Sequence, residues 1–92
     1  MKKVAKEFDV TVKDLKGPRR TKDISFARQV CMYILRTEFG YKLKEVSTML
    51  KRNDHTTAIH AIDKIQSLIE TNLTLKEQLN NLLTEINKPV SE

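Results

Sequence analysis

The chain has 92 residues, with 17 Lys and Arg against 12 Asp and Glu, a formal charge of +5 and 39% hydrophobic residues. Such a chain reads as one soluble basic domain: it buries only about 60–65% of the surface its unfolded form exposes, enough for a single small core and too little for a deep two-lobed enzyme. No stretch approaches the roughly 18 consecutive apolar residues of a membrane span, and Met1-Lys2-Lys3 opens no signal-peptide apolar region, so a cytosolic location is expected.

Two Gly, two Pro, no Trp and no run of alternating apolar residues predict an all-helical fold. Val4, Ala5 and Phe8 stand at helical spacing in a short opening segment that reads as cut into at Met1. Asp9-Val10-Thr11 predicts a turn, Thr11 caps a short helix through Leu15, and Gly17-Pro18 stops it, because proline disfavours helix in the residue before it. Arg19-Arg20-Thr21-Lys22 is then a basic loop. Ile24, Ala27, Cys31, Ile34, Leu35 and Glu38 follow the 3–4 spacing of a longer helix, with Thr21 or Asp23 near its start and Gly40 at its end.

Leu43, Val46, Met49 and Leu50 predict a helix of two turns with its apolar side inward, interrupted by Lys51-Arg52-Asn53. Another helix follows at once. In it Ala58, Ile62, Ile65 and Ile69 form a stripe about 60° wide, and Thr56, His60, Asp63, Lys64 and Ser67 lie on the opposite face. A last helix from about Asn72 to Asn87 carries Leu75, Leu79, Leu82 and Ile86, and Pro89 ends it. Its leucines serve as a coiled-coil seam, a partner face or the domain's own packing; two heptads are too few for a stable coiled coil, which favours the last.

The charge is lopsided: residues 1–52 hold 14 of the Lys and Arg with 6 acids, whereas residues 53–92 hold 3 with 6 acids. Clustered cations favour a polyanionic partner, nucleic acid first, through Coulomb attraction and counterion release. A solvated lysine-rich surface would look the same, and charge alone does not separate the two. The single cysteine, Cys31, has no disulfide partner and no second thiol at metal-ligand spacing, and reads as a core thiol. No metal site is expected: His55 and His60 are about 140° apart around a helix. Asp54-His55 makes a poor acid–base pair because neighbouring helical side chains diverge, so no enzyme activity is expected.

Two short helices joined by a tight turn, the second opening on Asp54-His55-Thr56-Thr57, have the layout of a helix-turn-helix, whose second helix enters the major groove amino end first. The residue types suit that task. A carboxylate accepts from cytosine N4, threonine methyls pack on the thymine methyl, their hydroxyls bond base edges or phosphate, and the helix amino end offers free N–H groups. The competing reading is ordinary capping by Asn53 or Asp54, with threonines in the first turn. The tetrad alone does not decide; the company of Arg19-Arg20, Arg28-Gln29, Arg36 and Lys42-Lys44 favours a groove flanked by cations.

The run from Leu50 to Ala61, Leu-Lys-Arg-Asn-Asp-His-Thr-Thr-Ala-Ile-His-Ala, followed by Lys64-Ile65, resembles the signature of the C-terminal DNA-binding domain (domain IV) of the bacterial chromosomal replication initiator family, DnaA. Asp14-Leu15, Arg19-Arg20-Thr21-Lys22, Ala27-Arg28-Gln29 and Met32-Tyr33-Ile34 support it in the same order and spacing, so the resemblance covers nearly the whole chain. It implies an all-α, Trp-repressor-like small helical bundle, one DNA-binding domain over residues 1–92 with the helix-turn-helix at about 43–70. The implied function is sequence-specific binding of double-stranded DNA at A/T-rich nonamers, the DnaA boxes, of the replication origin, by a monomer on each box in the bacterial cytosol.

The resemblance also implies roles. Asp54, His55, Thr56 and Thr57 match the major-groove readers and Arg20 the minor-groove reader. Arg28, Gln29, Arg36, Leu43 and Lys44 match positions that hold the backbone; Arg19, Arg52, Asn53 and Lys64 are further backbone candidates. Two departures stand out: Arg52-Asn53 where the family usually has Gly-Arg, and Ala27 where it often has Pro. The initiator's ATPase needs a G-x-x-x-x-G-K-[ST] loop, which this sequence lacks. The domain is therefore expected to need no cofactor, with ATP held only in a separate ATPase domain of a longer parent protein. The alternatives are a helix-turn-helix transcription regulator, and a helical protein-interaction module whose basic patch meets an acidic protein or anionic lipid.

Overall fold

The computed structural model describes residues 2–18, 21–52 and 54–87, and among them it is built of helices α1 (Lys2–Glu7), α2 (Val12–Lys16), α3 (Lys22–Thr37), α4 (Leu43–Met49), α5 (His55–Thr71) and α6 (Leu73–Asn87). The all-α expectation holds. Predicted starts coincide with real caps: Thr11 Oγ1 accepts from Asp14 N at 3.0 Å, and Asp14 returns a bond to the Thr11 amide in a capping box. Thr21 Oγ1 accepts from Ile24 N, and Asn72 both ends α5 and caps α6 through its side chain. Pro89 lies outside the described residues.

Helix α3 is the hub. It packs most extensively on α5 and also meets α1, α2 and α4, while α6 lies against α5 and α1. Surrounded in this way, α3 buries Val30 and Met32 as well as the predicted Ile24, Ala27, Cys31, Ile34 and Leu35. The buried residues of α5 are Ala58, Ala61 and Ile65, whereas Ile62 and Ile69 are only half-buried. Leu75, Leu79 and Leu82 are buried in the domain's own core. The Cys31 thiol is buried too, and loss of hydration pushes its pKa up to about 11, so at neutral pH it stays protonated and a poor nucleophile.

Two helices end in a turn that sequence does not announce. At the end of α4, Arg52 N donates to Ser47 O at 2.7 Å and Lys51 N to Thr48 O at 3.0 Å, a Schellman motif that puts Lys51 in the left-handed region with φ 55. Asp9 does the same after α1, where Val10 N reaches Ala5 O at 2.9 Å. A side chain at a left-handed position costs energy that glycine avoids. Lys51→Gly is expected to stabilise the domain by about 0.5–1 kcal/mol, raising the melting temperature by roughly 2–8 °C. Thermal unfolding checks it; a fall in melting temperature would contradict the assignment of strain.

Candidate nucleic-acid interface

Helices α4 and α5 and the segment between them, which opens on the Schellman turn, form the helix-turn-helix. Val46 and Leu50 are fully buried, which seats α4 across α5 and leaves the amino end of α5 projecting. There the Asp54 Oδ1 accepts from Thr56 N at 2.9 Å, so the capping role weighed from sequence is real. It does not exclude a base contact, since a carboxylate has about four acceptor sites. His55, Thr56 and Thr57 are all exposed in the first turn.

The bond from the Thr56 amide, with the Thr56 side chain next in weight, holds the Asp54 carboxyl below the usual carboxylate range. A carboxylate with a depressed pKa lends its stabilisation above its unfolded pKa and loses it as pH falls through the lower folded value. Protection of the Thr56 amide is therefore expected to be constant at neutral pH and to drop only in acid, below the ordinary carboxylate pKa. Asp54→Asn, which keeps a capping acceptor without a titrating group, should abolish that acid step in hydrogen exchange.

Beside the amino end of α5 runs an open groove whose walls are α3, α5 and the loop after α2; Arg28, Gln29, Arg52, Thr57, His60 and Lys64 line it with Pro18 and Ser25. Thr56, His60, Asp63, Lys64 and Ser67, the predicted outer face, are exposed. His60 belongs to the groove and is missing from the predicted site, although it lies one turn beyond Thr56 and Thr57 at the 3–4 spacing that could have found it. Ser25 comes from another helix and has no such signal.

The other predicted residues fall into distinct settings. Arg28, predicted to hold the DNA backbone, lines the groove but is buried, with its Nε donating to Leu15 O at 2.9 Å and its Nη2 to Asp14 O and Gly17 O. Its charge is solvated by the carbonyls that end α2, which makes it the clamp between α2 and α3. Arg52 is also turned inward, donating from Nη2 to Gly17 O at 2.7 Å. Gln29 is half-buried at the groove, its Oε1 meeting no donor among the described residues. Lys64 is exposed on the groove's α5 wall.

Arg36 stands away from the groove at the far end of α3, exposed, donating from Nη1 to Tyr41 O at 3.0 Å. This brings it to the loop that enters α4, where Lys44 is exposed and Leu43 half-buried as the first helical residue. The cations thus form two groups, one along the groove and one at the α3–α4 corner. Arg19, Arg20 and Asn53 lie outside the described residues.

A helix-turn-helix whose second helix opens on exposed His55, Thr56 and Thr57, with cationic segments beside it, defines a DNA-binding domain of that class. The family described as the bacterial DnaA protein helix-turn-helix matches residues 1–65, and the chain belongs to it. It is 41% identical over 92% of its length to the chromosomal replication initiator protein DnaA of Oenococcus oeni, 40% over 95% to that of Nostoc punctiforme and 33% over 89% to that of Rickettsia canadensis. In each case the chain spans only 18–19% of the relative's length. Among the described residues, no helix is long and apolar enough to cross a membrane.

Proposed function

We propose that this domain binds duplex DNA at nonamers of the DnaA-box type in the replication origin, as the DNA-binding part of a replication initiator in the bacterial cytosol. The observation that carries the reading is the exposed His55-Thr56-Thr57 turn at the amino end of the 17-residue helix α5, flanked by cations on α3, α4 and α5. Base edges in the major groove are read there: Asp54 accepts from a cytosine amino group, and Thr56 and Thr57 offer methyls to thymine and hydroxyls to base or phosphate. Arg20 reads the adjacent minor groove, with Arg19 holding the backbone beside it.

Lys64 and Gln29 hold one stretch of backbone, and Arg36, Leu43 and Lys44 another. Arg28 and Arg52 act through the groups they hold in place, and Asn53, next to the readers, takes a backbone contact. A single helix-turn-helix serves a single box, so the domain binds as a monomer, and it does so without nucleotide or metal. Binding-site selection from random duplex DNA tests the reading. Enrichment of a TTATCCACA-like word is expected; a pool without a shared word would favour the protein-interaction module, and an unrelated word a transcription regulator.

A further inference from the structure

Helix α3 ends in a bonded turn that displays two aromatic rings to solvent. Phe39 N donates to Ile34 O at 3.4 Å and Tyr41 N to Leu35 O at 3.2 Å, while Gly40 between them takes the left-handed conformation, φ 69, that closes such a turn. Phe39 is 49% exposed and Tyr41 37%, and their ring centroids lie 6.3 Å apart. Each ring borders a dent. Phe39 joins Ile34, Leu35 and Ile86 around one of about 310 Å³, which Lys2 and Lys3 also line; Tyr41 joins Thr48 and Met49 around another of about 410 Å³, which Lys44 and Glu45 also line. The ring pair links the two into one strip that runs from the start of α1, past the ends of α3 and α6, on to α4. Exposed apolar side chains scattered singly are ordinary, but contiguous aromatic surface on a preorganised turn is what binding interfaces are built around.

The charge along the strip decides what fits it. Lys2, Lys3, Arg36, Lys42 and Lys44 are exposed there, against Glu38, Glu45 and Glu85. Glu45 is turned to the Lys42 amide at 2.9 Å, and Lys3, donating from Nζ to the Glu85 carbonyl at 2.6 Å, keeps its charge. We propose that this strip docks an acidic amphipathic segment of another protein, with one apolar anchor side chain for each dent and carboxylates that meet the lysines and Arg36. A single nucleic-acid strand is also anionic and stacks on exposed rings. A base seated among Ile34, Leu35 and Ile86 would, however, lose the hydrogen bonds of its edges, whereas a leucine or phenylalanine loses nothing there. Arg36 and Lys44 border the strip and are also the backbone contacts proposed above, so a seated partner and a duplex compete for them. That consequence rests on the DNA-binding reading; the docking itself does not.

The test titrates the full 92-residue chain with a fluorescein-labelled peptide of about 15 residues that carries leucines at 3–4 spacing on one face and glutamates elsewhere. The controls are the same peptide with lysines for the glutamates, the same composition with the leucines scattered around the helix, and a thymidine oligonucleotide. The acidic amphipathic peptide is expected to bind, and Phe39→Ala and Tyr41→Ala each to weaken it about tenfold. Lys44→Glu, at an exposed position, decides the matter if Phe39→Ala unfolds, with a loss of about fivefold expected. No binding of the acidic peptide, equal binding of the lysine or scattered peptide, or indifference to all three substitutions would overturn the proposal. So would tighter binding of the oligonucleotide that the same substitutions remove, which would make the strip a nucleic-acid platform. An excess of box duplex is expected to release the peptide. A chain that binds the duplex and keeps the peptide would overturn the competition, and a chain that binds the peptide but no duplex would support the docking while overturning the DNA-binding reading.

Discussion

Arg28→Ala is expected to destabilise the domain by about 3–4 kcal/mol, with little to do with DNA. The side chain is 7% exposed, and its Nε and Nη2 satisfy the carbonyls of Leu15, Asp14 and Gly17. Bonds from a charged donor contribute roughly 1.5–3 kcal/mol each, and truncation also strands buried acceptors; the contributions share one side chain and do not add fully. In a domain of this size 1 kcal/mol moves the melting temperature by about 4–8 °C, so a fall of roughly 15–25 °C is expected. Urea unfolding with an unchanged slope checks it. A melting temperature within a few degrees of wild type, with a lower salt slope for DNA binding, would return Arg28 to the role of phosphate anchor.

Thr56→Ala is expected to do the reverse, leaving stability nearly intact while removing discrimination at one base pair, on the order of 1–3 kcal/mol. Stability survives because the side chain is exposed and the cap bond runs from the Thr56 backbone N–H to Asp54, a donor that alanine keeps. Recognition suffers because both the hydroxyl and the methyl that can face a thymine or a phosphate are lost. Competition among box duplexes varied one base pair at a time separates the outcomes. A relaxed preference at one position is expected, and a uniform loss on every duplex would make Thr56 a backbone contact.

Elements governed by local rules were legible in the sequence. Thr11, Thr21, Asp54 and Asn72 lie where side-chain oxygens can meet free helix amides, and each caps a helix. The outer face of α5 followed from its 3.6-residue period. Tertiary packing hid the rest. Arg28 looked like a surface cation because charge usually means exposure, yet α3 sits among four helices and the end of α2 supplies carbonyls that solvate a guanidinium. The same three-dimensional closure assigns Arg52 to Gly17, a pairing no spacing predicts. Ala61 escaped the apolar stripe because it lies just beyond its edge around the helix, yet it is buried, so the covered face of α5 is wider than the stripe. Lys51 ends α4 in a left-handed turn without the glycine that would have marked it.

DNA is expected to meet the amino end of α5 and the adjoining groove, and an NMR titration of the chain with a box duplex measures where it does. Amide shifts are predicted to concentrate at His55, Thr56, Thr57, His60 and Lys64 and at Ser25 and Gln29 across the groove, with α1 and α6 unmoved. Shifts confined to Lys2–Glu7 and Leu73–Asn87, or none at a duplex concentration that saturates a basic surface, would contradict it.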